Sequence, residues 1–289
     1  MTTEVRPSAG HGSAFQPGAA AEQAGATLAE QTDAVILVGG QGTRLRPLTV
    51  NTPKPMLPTA GHPFLEHLLG RIRAAGMKHV VLGTSYRAEV FEEHFGDGSD
   101  LGLEIEYVFE AEPLGTGGGI RNVLDKLRYD TAMIFNGDVL GGTDLRAVLG
   151  THAEKDADVT MHLVRVPDPR AFGCVPTDED GRVLEFLEKT QDPPTDQINA
   201  GIYVFRREII ESIPAGRPIS VEREIFPALL DRGMNVYGHV DYAYWRDMGT
   251  PGDFVRGSSD LVRGIAPSPL LEGKHGEALV DESASVGGG

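Results

Sequence analysis

Between Asp33 and Pro58 the chain reads AVILVGGQGTRLRPLTVNTPKPMLP, where a short aliphatic run breaks into glycines and then delivers three cations and four prolines. The run Ala34 to Val38 has the length and branching of a central parallel strand covered on both faces. Gly39, Gly40 and Gly42 follow at once. Glycines there let the backbone take positive φ and bring its N–H groups up to an anion with no Cβ in the way. Arg44 adds a planar fork of donors suited to phosphate, and Lys54 adds a point charge held between Pro53 and Pro55. The loop is both anion-seeking and stiff.

Two familiar glycine motifs fail here. A dinucleotide fingerprint starting at Gly40 needs glycine where Leu45 stands, and a P-loop needs Gly-Lys-Ser/Thr where the chain has Thr43-Arg44-Leu45.

Downstream, Phe64, Leu65, Leu68, Leu69 and Ile72 share one face of a helix expected over Pro63 to Ala75, closed by Gly76. A strand over Val80 to Thr84, a helix over Arg87 to Phe95 and a strand over Glu104 to Phe109 complete the β-α-β-α-β rhythm of a doubly wound sheet. Ligands of such sheets sit at the carboxyl ends of the strands. The third strand hands over to a second glycine cluster, Glu110 to Gly119, ahead of a helix from Ile120 to Leu127. A fourth strand, Thr131 to Phe135, ends in Asn136-Gly137-Asp138, where a carboxylate beside phosphates is well placed to hold Mg²⁺.

The second half reads as a helix over Thr143 to Asp156 capped by Thr143, a strand over Val159 to Val166, and a hairpin over Gly173 to Glu188 turning at Asp178 to Gly181. A strand over Ile202 to Phe205 follows. The helix over Val221 to Arg232, capped by Ser220, reads as mainly structural. A strand over Val236 to Tyr244 precedes Trp245-Arg246-Asp247-Met248-Gly249-Thr250-Pro251 and a helix with proline in its first turn.

A formal charge of −16 argues against a nucleic-acid or anionic-membrane partner, both of which call for a basic face. The single cysteine, Cys174, excludes an internal disulfide and reads as a small, semi-buried apolar residue. With no membrane span or signal pattern in the sequence, a cytoplasmic location is expected. Residues 1–32 hold few large apolar side chains and read as a disordered tail, with a short helix over Ala19 to Gln31 allowed. Residues 33–265 form the main domain, and 266–289 a linker with one coil of a hexapeptide β-helix, suggested by Val280 and Val286.

The run G-x-G-T-R-L-x-P-L-T followed by T-P-K-P resembles the sugar-phosphate nucleotidyltransferases, the NDP-sugar pyrophosphorylases, and the resemblance extends from Asp33 to the C-terminus. It implies a Rossmann-like, doubly wound mixed sheet with a sugar-binding hairpin region and a vestigial or truncated start of a left-handed β-helix. Leu37, Gly39, Gly40, Gly42 and Thr43 would cradle the nucleotide, and Glu110 and Gly115 the base. Asp138 and Asp247 would be the ligands of Mg²⁺, with Mn²⁺ as a substitute. Arg44 would hold the departing pyrophosphate and Lys54 the reacting phosphates. Gly173, Glu188, Lys189, Asn199 and Gly201 would meet the sugar phosphate. Thr190 stands where the family usually has proline, which loosens the loop carrying Lys189.

Base choice turns on Glu110, where thymidylyl- and uridylyl-transferring members commonly carry an amide. A carboxylate only accepts hydrogen bonds, and guanine offers adjacent N1–H and N2–H₂ donors. The companion stretches E-x-E-P-L-G-T-x-G, S-x-E-x-E-I-F-P and W-x-D-x-G-x-P look most like the GDP-mannose-forming branch of the family. The implied reaction joins GTP and mannose 1-phosphate with release of pyrophosphate, in a homo-oligomer. The alternatives are another base, another sugar or cyclitol phosphate, a non-catalytic regulatory subunit that binds the NDP-sugar, and, without support from any D-x-D motif, a metal-dependent glycosyltransferase.

Overall fold

The computed structural model describes residues 19–280 apart from Tyr86 and Glu188. Helix α1 (Ala19–Ala29) leads into strand β1 (Thr32–Leu37). A small pair, β2 (Pro58–Thr59) and β3 (His62–Pro63), precedes α2 (Phe64–Ala75), β4 (His79–Thr84), α3 (Ala88–Phe95) and β5 (Glu104–Phe109). Next come α4 (Gly115–Asn122), β6 (Thr131–Asn136), β7 (Val139–Gly141), α5 (Leu145–Glu154) and β8 (Val159–Arg165). The remainder is β9 (Gln197–Arg206), α6 (Arg207–Ser212), α7 (Phe226–Asp231), β10 (Val236–Asp241), β11 (Trp245–Asp247) and α8 (Pro251–Val262).

Seven strands form one sheet in the order β10-β8-β9-β6-β1-β4-β5, with β9 antiparallel to both its neighbours and every other pairing parallel. The sheet is mixed, as the sequence implies. Alternation along β1 explains why both faces are covered. Ala34 and Ile36 pack with Leu65, Leu69 and Ile72 of α2, while Val35 packs with Ile120 and Val123 on the opposite face. The chain leaves β1 towards β4 and β5 on one side and returns to β6 on the other, so the β1/β6 boundary is the switch point where such sheets open a crevice. Leu37 is level with Gly83 and with Asn136, which brings three strand ends to one edge.

Several expectations need correction. Residues 19–32 are part of the fold: α1 lies against α5 so closely that a Cβ on Gly25 would stand 2.0 Å from the Arg146 carbonyl oxygen, and one on Gly150 would stand 2.5 Å from that of Ala21. Small side chains, poor at hydrophobic burial one by one, dock this helix by letting the two backbones approach. The rest of the supposed tail lies outside the described residues. Helix α5 begins later than read and is capped by Asp144, whose carboxylate accepts from the Arg146 N–H, because the Thr143 hydroxyl is taken by Asp241. The strand expected to run to Tyr244 stops at Asp241, and the chain crosses over to form β11. The expected hairpin turns at Gly181, and among the described residues its arms pair through isolated bridges, Cys174 with Leu187 and Thr177 with Val183. No strand forms in the described residues after Asp247, and the rest of the proposed β-helix coil, from 281, lies outside them. Among the described residues no helix is long and apolar enough to cross a membrane.

Replacing Gly25 with valine forces side-chain atoms onto the α5 backbone and is expected to lower the unfolding free energy by about 1–3 kcal/mol. The denaturant midpoint reads this directly. A midpoint equal to that of the wild type would show that α1 contributes nothing to the fold.

Candidate active site

At the carboxyl edge of β1, β4, β5 and β6 a cavity of about 530 Å³ opens. Its floor and walls include every residue expected to meet the nucleotide: Leu37, Gly39, Gly40, Gly42, Thr43, Glu110 and Gly115. The loop that leaves β1 is pinned at several points. Gly42 takes φ +58°, its carbonyl accepts from the Thr49 hydroxyl at 2.8 Å, and the Gly39 carbonyl accepts from the Ser85 hydroxyl at 2.6 Å. Gly40 has nothing within 4 Å of where a Cβ would stand. Its backbone therefore borders open space, as an anion-binding loop requires.

Arg44, Lys54 and Asp138 line the same cavity. Asp138 follows β6 directly, whereas Asp247 is more than a hundred residues away in sequence and arrives through a separate device. Strand β11 pairs antiparallel with β7, Asp247 opposite Val139, and the Met248 N–H donates to the Asp138 carbonyl at 3.0 Å. The two carboxylates converge on one cation: Lys54 Nζ lies 3.0 Å from Asp138 Oδ2 and 4.0 Å from Asp247 Oδ1. Lys54 itself is buried, its side chain 8% exposed. Burial raises the Asp247 carboxyl above the usual aspartate range and the Asp138 charge adds to this, against the opposing pull of Lys54 and Arg44. Gly249 completes the cluster, since a Cβ there would stand 2.8 Å from both terminal nitrogens of Arg44 and from Asp247 Oδ2.

Among the described residues no three His, Cys, Asp or Glu side chains gather as a cation site. A metal here would therefore take the two aspartates and draw its other ligands from phosphate and water, the set that Mg²⁺ prefers. The donors fit, because two partly exposed carboxylates meet at one place beside the nucleotide cavity.

Glu110 turns inward. Its Oε1 lies 2.7 Å from where a Cβ of Gly119 would stand and its Oε2 3.8 Å from that of Gly39, so the carboxylate occupies the gap between the two glycine clusters. Burial raises its pKa, opposed by a hydrogen bond from the Leu114 backbone. The second cluster is not a plain loop before a helix at Ile120: Gly115 to Gly119 are themselves the first turns of α4. Glycine is a poor helix former, and tertiary packing overrides it here. A Cβ on Gly115 or Gly117 would collide with Ile219, at 2.6 and 2.8 Å, and one on Gly118 with the Arg217 carbonyl at 2.9 Å. The Gly117 N–H donates to the Ile219 carbonyl at 2.8 Å.

A second cavity, of about 570 Å³, is lined by Gly173 and Asn199 together with Phe172, Phe186, Glu222 and Arg223. Gly201 sits behind it with φ +81°, and a Cβ there would stand 2.9 Å from the Asn136 amide nitrogen. Lys189 is exposed and lines neither cavity, and Glu188 lies outside the described residues. Sequence reasoning missed Ser85, Asn136, Gly249 and Glu222. Asn136, Gly249 and Glu222 lie inside quoted motifs, and Glu222 belongs to the segment read as mainly structural; Ser85 carried no local signal.

The nucleotidyl transferase family description matches residues 33–264. The mannose-1-phosphate guanylyltransferase of Mycobacterium tuberculosis is 70% identical over 260 residues, covering 90% of this chain and 72% of that protein. A mannose-1-phosphate guanylyltransferase catalytic subunit beta of Drosophila melanogaster is 35% identical over 266 residues, 89% of this chain and 72% of its own. Among solved structures, HddC from Yersinia pseudotuberculosis complexed with GMP-PN superposes with a TM-score of 0.70 at 30% identity, covering 80% of this chain and 99% of that one. A putative glucose-1-phosphate thymidylyltransferase from Bacillus anthracis, at 22% identity and TM-score 0.72 over 78% of this chain and 94% of that one, shares the fold. The sequence matches cover the span that builds both cavities, and the chain belongs to the nucleotidyl transferase family.

Proposed function

We propose that this chain is a guanylyltransferase that joins GTP and mannose 1-phosphate into GDP-mannose and releases pyrophosphate. The observation that carries the base assignment is the Glu110 carboxylate between Gly39 and Gly119 in the nucleotide cavity. An ionised carboxylate accepts only, and guanine presents two adjacent donors to it. The choice of sugar draws its support from the 70% identical relative named for mannose 1-phosphate.

The reaction needs no covalent nucleophile. A phosphate oxygen of the sugar phosphate attacks the α-phosphorus of GTP in line, a new P–O bond forms, and the bond from the α-phosphorus to the bridging oxygen breaks to release pyrophosphate. Catalysis is alignment and charge neutralisation. The glycine loop carries the triphosphate on its backbone, Arg44 holds the departing pyrophosphate, and Lys54 stabilises charge at the reacting phosphates. Lys189, assigned from its motif and exposed outside both cavities, would meet the incoming phosphate. Asp138 and Asp247 would hold the divalent cation, Mg²⁺ or Mn²⁺, which would supply charge neutralisation at the phosphates.

EDTA should stop turnover while leaving the circular dichroism spectrum unchanged, and Asp138→Asn and Asp247→Asn should each lower kcat by roughly 10²-fold or more. Full activity in EDTA would remove the metal from the account.

Inosine triphosphate keeps N1–H and O6 of guanine but lacks the N2 amine. Leaving one acceptor of Glu110 unpaired costs about 1–3 kcal/mol, so kcat/KM should favour GTP over ITP by roughly ten- to a hundredfold, and Glu110→Gln should narrow the gap. Equal use of the two nucleotides would show that Glu110 does not read the N2 edge.

A further inference from the structure

Between the two cavities lies a part-buried polar junction in which only Asn199 has a role above. Tyr203 on β9 is fully buried. Its phenol oxygen accepts from Asn199 Nδ2 at 2.7 Å, and its hydroxyl is directed at Glu222 Oε1 at 3.5 Å. Burial drives the phenol pKa far up, so the group stays protonated and keeps a proton to donate. The second carboxylate oxygen, Glu222 Oε2, accepts from the Thr116 hydroxyl at 2.9 Å and from the Ser220 hydroxyl at 2.8 Å. Thr116 Oγ1 in turn accepts from the Val221 N–H at 2.9 Å, which fixes its direction.

The junction touches both sites. Thr116 and Asn136 line the nucleotide cavity, while Asn199, Ser220 and Glu222 line the second cavity. Glu222 reaches this position from a π-helical turn, Val221–Ile225, a widened geometry that recurs at functional sites. Its two oxygens are unequally served: Oε2 has two hydroxyl donors, whereas Oε1 has one long contact, and the residue lines the second cavity. A carboxylate with spare lone pairs facing a cavity calls for a donor, and sugar hydroxyls supply one.

We propose that Glu222 accepts from a hydroxyl of the sugar phosphate through Oε1 while Oε2 holds Thr116, so that the sugar phosphate and the nucleotide tighten each other's binding, with Tyr203 as the positioning residue that fixes the carboxylate. This rests on the reaction assigned above. Coupling of this kind is reciprocal and typically amounts to about 5- to 150-fold in affinity.

The test is equilibrium binding of α,β-methylene GTP with and without saturating mannose 1-phosphate, in the wild type, Tyr203→Phe and Thr116→Val. In the wild type the sugar phosphate should tighten analogue binding at least about fivefold. In both variants each ligand alone should still bind, and that factor should fall towards one, a change that a merely structural role would not produce. Glu222→Gln should in addition raise KM for mannose 1-phosphate roughly tenfold, the equivalent of one good hydrogen bond to a charged group. If Tyr203→Phe fails to fold, Thr116→Val carries the same readout. A wild type that releases pyrophosphate from GTP and mannose 1-phosphate yet shows no mutual tightening overturns the bridge alone, as do variants that keep the wild-type factor. No turnover with any sugar 1-phosphate overturns the assigned reaction, and with it the bridge's ligand.

Discussion

The site depends on one short ladder. Only three residues of β11 pair with three of β7, yet this pairing carries Asp247 across the sequence and sets it beside Asp138, with Lys54 drawn in between. Without that pairing the β6 edge would offer one carboxylate. A buried ammonium shared by two carboxylates is stable only while the geometry holds, because a lone charge in that place would carry a desolvation cost of several kcal/mol. Burial raises the Asp247 carboxyl, and the neighbouring Asp138 charge adds to this against the pull of Lys54 and Arg44.

The two glycine clusters serve different physical ends. In the first, Gly40 borders open space and Gly42 bends the chain through a left-handed conformation beside the cavity. In the second, Gly115, Gly117 and Gly118 are small because the segment 217–219 presses against them, which locks the start of α4 to the residues leading into Glu222. Gly119 leaves room for the Glu110 carboxylate. One cluster borders the first cavity, and the other joins its wall to the wall of the second.

Much of this was legible in the sequence because the informative residues sit at strand ends, where local pattern and chemistry coincide. The strand from Glu104 to Phe109, the break after Leu37 and the Asn136-Gly137-Asp138 step all fall where an alternating or aliphatic run meets glycine. What stayed hidden depends on contacts between distant segments. The docking of α1 rests on Gly25 and Gly150, separated by more than a hundred residues, and small residues carry no hydrophobic period. The helical start at Gly115 contradicts local propensity and exists only because of the segment 217–219. Glu222 belongs to a motif that reads as an amphipathic helix, and only the π-helical turn brings its carboxylate to the cavity wall. Lys189, assigned from its motif, remains at the exposed surface.

In the proposed reaction one cavity selects guanine and the adjoining one a mannose phosphate, with reaction only when both are filled. Pyrophosphate release measured across a grid of GTP, ATP, CTP, UTP and dTTP against mannose, glucose, galactose and N-acetylglucosamine 1-phosphates tests it most directly. The account predicts the highest kcat/KM for GTP with mannose 1-phosphate and negligible release when the sugar phosphate is omitted. Preference for UTP or dTTP, or equal release without any sugar phosphate, would contradict it.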